Sequence, residues 1–271
     1  MRHTRRDFIA TAGTMATALA LPNRTRGAER RPQEMRPSHE KRHLVTLSFD
    51  DGFKKSFLRT AEIYEKRGLS ACLNVIATGH ETGYRAPGEY IGKSARGDFG
   101  LWNELQARGH EVMPHGYRHA NLRQLPLAEA KDLILRCLDV FSTRLKGFEP
   151  REAVFNFPYN ASTPALEKWL PTRVRAFRTG GGAINPWPHE GQVKLTCTGF
   201  GPGNCEQAID REIAKLLERD RGWLIFNTHG LDDEGWGPMR ATYLERLLER
   251  LLAIDTVAIL PAGRALSEYA S

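Results

Sequence analysis

Short apolar runs rich in β-branched and aromatic residues recur along the chain. They are Leu44–Phe49, Cys72–Ile76, Glu111–Met113, Ala153–Phe157, Val174–Phe177, Val193–Cys197, Leu224–Asn227 and Val257–Leu260. Runs of this length, bounded by turn residues, read as buried strands. Helical periods lie between them. Ile134, Cys137, Leu138, Phe141 and Leu145 fall at i, i+3, i+4, i+7 and i+11, and Leu244, Leu247, Leu248, Leu251 and Leu252 repeat the stripe. The second stripe is too short for a coiled-coil seam and reads as a helix packed on a core. Alternating strands and helices predict a parallel sheet, most economically a (β/α) barrel; an open doubly wound sheet is the other arrangement. Neither nucleotide-binding glycine fingerprint occurs, so nothing supports the open sheet. Gly180-Gly181-Gly182 reads as a flexible turn, because no Lys-Ser/Thr follows it.

The N-terminus breaks this pattern. Thr4-Arg5-Arg6-Asp7-Phe8-Ile9 leads into a mild apolar stretch ending near Leu21, with small-residue exits at Ala18-Leu19-Ala20 and Gly27-Ala28. A charged start, a short apolar region and a small-residue exit describe an export signal. The arginine pair before Phe8 resembles a bacterial twin-arginine signal. Residues 1–28 are thus expected to be a twin-arginine export signal, 29–42 a Pro- and Arg-rich linker, and 43–271 one folded domain. The expected location is periplasmic or extracellular, reached through the twin-arginine export machinery.

Charge and composition then narrow the function. The formal charge is +7, but residues 1–28 carry five arginines against Asp7 alone, leaving +3 on the rest. No basic stripe interleaved with aromatics follows, so nucleic-acid binding is not expected. No apolar run is long enough for a stable membrane span. With 41% hydrophobic residues the chain buries a sizeable core. Four cysteines are too few for a disulfide-built scaffold, and no CxxC pair exists. Cys197 and Cys205 flank a Gly/Pro loop that a bridge would close. Cys72 and Cys137 read as core thiols.

Polar groups gather just after the apolar runs, which a barrel places on its active face. Ser48-Phe49-Asp50-Asp51-Gly52 closes the first run. By itself this is a turn, yet two adjacent carboxylates there are placed to divide labour, one on a metal and one as a base. His115 and His119, in Pro114-His115-Gly116-Tyr117-Arg118-His119, share a face at i, i+4 if the segment turns helically, a common way to offer two imidazoles to one ion. A zincin H-E-x-x-H is excluded by the spacing from His110 and by Pro114. Phe155-Asn156-Phe157-Pro158-Tyr159 is an apolar strand ending in a Pro turn. His229, in Phe226-Asn227-Thr228-His229-Gly230, stands at the mouth of another strand.

These four segments in this order resemble the polysaccharide deacetylases, the NodB-like family-4 carbohydrate esterases, over about residues 43–262. The resemblance implies a distorted (β/α)7 TIM-like barrel. It also implies metal-dependent hydrolysis of an N-acetyl, in some members O-acetyl, group on a poly- or oligosaccharide. Matched by position, Asp50 is the general base, and Asp51, His115 and His119 hold Zn2+ (or another divalent metal such as Co2+ or Ni2+). Tyr159 supplies the backbone donor to the oxyanion, and His229 is the general acid. The sequence departs from the family at Gly116, where many members have Ser or Thr. Asn156 stands where an Arg usually pairs with the base. No Asp-Trp pair that would orient the acid histidine is recognisable between Arg178 and Cys197.

Arg178, after the next strand, is therefore expected to supply the missing charge, and Asp232, Asp233 or Glu234 to orient His229. Substrate contacts are expected at Arg178, Trp236, Asn156 and the Gly180–Trp187 segment. Two rivals stand beside the deacetylase: a metal-containing glycan-binding module without turnover, and a hydrolase of a non-sugar amide on the same fold.

Overall fold

The structure, a computed structural model, describes residues 40–85 and 95–270; the expected export signal and most of the expected linker lie outside them. All eight apolar runs form strands: β1 (His43–Phe49), β2 (Cys72–Val75), β3 (Glu111–Pro114), β4 (Val154–Asn156), β5 (Ala176–Gly180), β7 (Lys194–Gly199), β8 (Gly222–Thr228) and β9 (Val257–Ile259). A ninth, β6 (Ile184–Asn185), was not foreseen. The helices are α1 (Lys54–Glu65), α2 (Phe99–Ala107), α3 (Leu127–Arg144), α4 (Pro164–Trp169), α5 (Glu206–Leu217), α6 (Ala241–Leu252) and α7 (Ala262–Tyr269).

Seven strands run parallel in the order β3-β2-β1-β8-β7-β5-β4. Their ends, β3 and β4, lie side by side without a ladder. Side chains span the gap instead. The His115 imidazole Nδ1 meets the Asn156 carbonyl at 3.0 Å, and Asn156 Nδ2 donates to the Pro114 carbonyl at 3.4 Å. Pro114, which has no N–H to give to a ladder, ends β3 at that gap. The result is the distorted (β/α)7 barrel.

The distortion has a second source. β9 pairs with Leu44 and Val45 of β1, whereas β2 pairs with Ser48 and Phe49. On the other flank, β6 pairs antiparallel with Trp223 and Leu224 of β8, whereas β7 pairs with Phe226 and Asn227. Each extra strand thus wedges into the lower half of the ring, at the N-terminal ends of the barrel strands.

Alternation along the strands sorts the side chains. Val45, Leu47, Phe49, Leu73, Val75, Phe155, Phe177, Leu224 and Phe226 point outward into the main core shared with the helices. Leu44, Cys72, Val154, Ala176, Leu195, Cys197, Trp223 and Ile225 point inward and form a separate core. Ala262, Ala265 and Leu266 of α7 join this inner core and plug it from below. The half-buried Glu111 carboxylate fixes the plug by accepting the backbone N–H groups of Gly263 (3.1 Å) and Arg264 (3.0 Å) at the helix start. Midway up, Trp223 Nε1 donates to Thr46 Oγ1 at 2.9 Å, and that hydroxyl donates to the Leu260 carbonyl. Above this level the interior turns polar.

The loop composition leaves open whether Cys197 and Cys205 are bridged; they are not, and all four cysteines are free. Cys197 points into the barrel, with Sγ 3.2 Å from Asn160 Oδ1, whereas Cys205 packs in the outer core at the start of α5. Opposite sides of the sheet separate them.

Candidate active site

The inward positions of the top layer are Ser48, Asn74, Asn156, Arg178 and Asn227, all buried, and Asp50 sits at their centre. Arg178 grips Asp50 with both ends of its guanidinium, Nη1 to Oδ1 at 3.0 Å and Nη2 to Oδ2 at 2.6 Å. Asn74 Nδ2 donates to Oδ1 and Asn227 Nδ2 to Oδ2, each at 2.7 Å. Ser48 Oγ accepts from both Arg178 and Asn74, and Asn156 Nδ2 donates to Asn74 Oδ1. A bidentate arginine with two further donors favours the ionised carboxylate. Burial pulls the other way, but Arg178 outweighs it and holds Asp50 below the usual carboxylate range.

Arg178 thus supplies the charge from β5 that Asn156 on β4 lacks; the two residues are paired neighbours in the ladder. Neither Arg178 nor Asn156 presents a surface to a substrate. Both are 1% exposed and engaged within the collar, which corrects the expectation that they contact it.

Asp51 points away from this collar. Its carboxylate, His115 and His119 offer ligand atoms that all lie within 4.8 Å of one another, and all three residues are buried. His119 Nε2 lies 3.2 Å and His115 Nε2 3.4 Å from Asp51 Oδ1. Ligands on a tetrahedral ion at ~2.0–2.2 Å would sit roughly 3.4 Å apart. Both Asp51 oxygens are buried without a hydrogen-bond partner. The bond from His115 Nδ1 to the Asn156 carbonyl fixes that ring so that its other nitrogen's lone pair faces Asp51. Burial holds His119 down at about 4 against the pull of Asp51, so its imidazole is neutral as ligation requires. The residues fit a divalent cation.

Backbone conformation singles out the same positions. The non-glycine residues with positive φ among those described are Asp51, His119, Tyr159, Asn160 and Asp232. Such conformations cost ~1–3 kcal/mol each and persist where surrounding structure over-determines them. Gly116 belongs to this set: its φ is +79°, and a Cβ there would lie 2.8 Å from Pro158 Cγ. The Pro158 ring therefore takes the space that a serine or threonine side chain would need. Tyr159, on the far side of that proline, lays its ring 4.7 Å from the His119 ring.

His229 follows β8 and packs edge-on against Trp236 at 5.7 Å. Its Nδ1 is buried without a hydrogen-bond partner. The three carboxylates expected to orient it are engaged elsewhere. Asp232 Oδ1 accepts the Ala241 N–H at the start of α6, Asp233 pairs with Lys55, and Glu234 accepts the Ser56 N–H at 2.9 Å. Packing holds the histidine instead. Gly235, at φ +88°, lies so close that a Cβ would approach His229 Cβ to 2.8 Å.

The Gly180–Trp187 expectation is corrected as well. β6 carries this segment down to the start of β8, where Trp187 lies under the Arg221 guanidinium and meets Tyr269 edge-on, away from the mouth. Sequence reasoning missed Asn74; its signal was a lone amide at an inward position of an apolar run. It also missed Tyr84 and Arg96, whose guanidinium lies over the rings of Phe53 and Tyr84 at 5.1 and 5.4 Å. These come from a connection without periodicity, where no signal existed.

A barrel with a carboxylate–imidazole metal cluster beside a second, arginine-held carboxylate defines a class of metal-assisted hydrolases. The model of the polysaccharide deacetylase family matches residues 38–196, and the chain belongs to that family. Solved structures share the fold at low identity. The Bc1960 peptidoglycan N-acetylglucosamine deacetylase aligns at 10% identity over 87% of this chain and 91% of its own, with a TM-score of 0.56. A family 4 acetyl xylan esterase from Clostridium thermocellum, in complex with a cobalt ion, aligns at 17% over 83% and 90%, with 0.55. BA3943 from Bacillus anthracis, a CE4 family pseudoenzyme, aligns at 12% over 86% and 68%, with 0.52. No curated protein matched the chain by sequence.

Proposed function

We propose that this protein is an exported, metal-dependent deacetylase that hydrolyses N-acetyl groups, or O-acetyl groups, of a poly- or oligosaccharide. The observation that carries the reading is the buried, hydrogen-bond-free Asp51 carboxylate facing two imidazoles beside an independently held Asp50. Family membership and the neighbours' acetyl-glycan activities support it.

Asp51, His115 and His119 would hold the cation, with zinc suited to this donor set. When bound, such an ion lowers the pKa of water and polarises a carbonyl. Asp50 takes the proton from the attacking water. Its collar of Arg178, Asn74 and Asn227 holds the carboxylate in one orientation and keeps it ionised. The Tyr159 backbone N–H meets the negative charge growing on the acetyl oxygen. His229 gives a proton to the departing nitrogen or oxygen. Trp236 and Gly235 set its position in place of a carboxylate.

A glycan-binding module without turnover is the second reading. The unpartnered Nδ1 of His229 and a pseudoenzyme among the structural neighbours favour it. Metal analysis beside acetate release separates the two. Asp51→Asn should lose both metal and activity. Asp50→Asn should keep the metal and lose on the order of 10²–10⁴ in rate, the usual worth of a positioned base. Wild-type turnover in Asp50→Asn would remove the base; no acetate release by the metal-loaded wild type from any glycan would favour the module. Export is tested separately: Arg5→Lys with Arg6→Lys should leave precursor in the cytoplasm, and normal export of that double variant would sink the twin-arginine reading.

A further inference from the structure

Two amides and a thiol line up across the barrel mouth, and one of them, Asn160, has no part in the chemistry described so far. Asn160 ends the turn after β4, directly after Tyr159 in the chain. Its side chain reaches across the mouth. Nδ2 donates to Asn227 Oδ1 on β8 at 3.1 Å, and Oδ1 accepts the Cys197 thiol on β7 at 3.2 Å. Asn227 Nδ2 in turn donates to Asp50 Oδ2 at 2.7 Å. The three hydrogen bonds point one way, from Cys197 through Asn160 and Asn227 to the carboxylate, and members of such a chain strengthen one another. Burial pushes the Cys197 thiol up to about 11, so it keeps the proton that it donates.

The backbone is built for this reach. Strand order places β5 and β7 between β4 and β8, so Asn160 spans both to meet its partner. Each of those strands ends in glycine. A Cβ at Gly180 would press to 2.9 Å on the Asn160 carbonyl, and one at Gly199 would lie 3.3 Å from Asn227 Oδ1. Asn160 itself holds φ +51°, a left-handed conformation open mainly to Gly, Asn and Asp. Thr179 Oγ1 on β5 steadies it by donating to the Asn160 carbonyl at 3.1 Å. The Asn227 amide has two ends, and one of them serves Asp50. Turned over, it would set an oxygen against the carboxylate and an NH2 against the Asn160 NH2.

We infer that Asn160 is a positioning residue: it locks the Asn227 amide with its NH2 toward Asp50 and ties the loop that carries Tyr159 to the collar of the base. The base and the Tyr159 backbone N–H, the two groups that the proposed reaction needs in register, are then set by one side chain. The kinetic consequence rests on the deacetylase reading; the orientation of Asn227 does not. The described hydrogen bonds of the Asn160 side chain reach none of Asp51, His115 and His119, so it acts on the base without holding the cation.

Two variants separate the amide from the backbone. Asn160→Gly and Asn160→Asp both accept the positive φ, so the loop keeps its course. The first removes the hydrogen bond; the second sets an acceptor against Asn227 Oδ1 and draws that amide to turn over. The Asn227 side-chain NH2 is followed by heteronuclear NMR on the purified protein, its signal assigned by its loss in Asn227→Ala. In wild type it should exchange slowly with solvent. In Asn160→Gly it should move and exchange about tenfold faster, the worth of one net hydrogen bond. On the metal-loaded protein, kcat for acetate release should fall about tenfold in Asn160→Gly and about 10²-fold in Asn160→Asp. KM and metal content should change little, because the base and the oxyanion donor act in the transition state. An Asn227 signal that neither variant moves would overturn the inference, and so would wild-type kcat in a variant whose signal moves. If wild type releases no acetate while the Asn227 signal moves as expected, the deacetylase reading fails and the assignment of Asn160 stands; release that both variants retain in full reverses that outcome.

Discussion

Asp50 and Asp51 are adjacent and chemically identical, yet their surroundings give them different work. Asp50 lies on the inward parity of β1 and receives four hydrogen bonds from Arg178, Asn74 and Asn227. Asp51, one residue on and at φ +78°, receives none and faces imidazoles. The Arg178–Asp50 pair is almost wholly buried, and removing one partner from such a pair costs ~3–5 kcal/mol. Arg178→Met should therefore lower the melting temperature by roughly 10 °C and reduce turnover, since Asp50 loses its anchor. The Asp50→Asn/Arg178→Met double variant should recover part of that stability and none of the activity, because no charge is then left unpaired. A melting temperature unmoved by Arg178→Met would show that the collar carries no such load.

At the scale of elements, function depends on how tightly the mouth loops close on one another. The connection from β8 to α6 holds His229 without any carboxylate. Glu234 is tied to the start of α1, Asp232 to the start of α6, and Gly235 fits under the histidine. Gly235→Ala puts a methyl group at φ +88°, a strain of ~1–2 kcal/mol, and drives it toward His229 Cβ. Metal content should stay full while acetate release falls about tenfold or more, and full activity in this variant would show that packing does not position His229. The strands behind these loops were legible in the sequence because each is an apolar run with inward and outward parity. The cluster of Asp51, His115 and His119 was legible because these residues close two such runs. The two-residue β6 was not, being too short to carry a period, and so Trp187 was expected at the mouth when it lies at the opposite end. The state of Cys197 and Cys205 was not legible for a related reason: loop composition does not reveal which side of a sheet each thiol faces.

Across the whole molecule, stability in acid rests on carboxylates held ionised by arginines far from the mouth. Hydrogen bonds from Arg240 hold Glu206 at about 2, and bonds from Arg108, with His110 behind them, hold Glu65 at about 2. Both values lie below those of the unfolded chain, so the unfolded state binds protons first as pH falls. The stabilisation is fully present above the ordinary glutamate value near 4.5 and is lost progressively between there and about 2. His110 adds to the same trend from higher pH. Burial lowers its pKa in the folded state, so the unfolded chain protonates first and folding weakens as pH drops through the usual histidine range. Glu206 also ties the start of α5 to the residue before α6 by accepting both the backbone N–H and the guanidinium of Arg240. Glu206→Gln should be less stable than wild type at neutral pH and should lose less stability between pH 4.5 and 2. Denaturant melts across that range measure both slopes, and parallel curves for the two proteins would show that this carboxylate does not contribute to the acid limb.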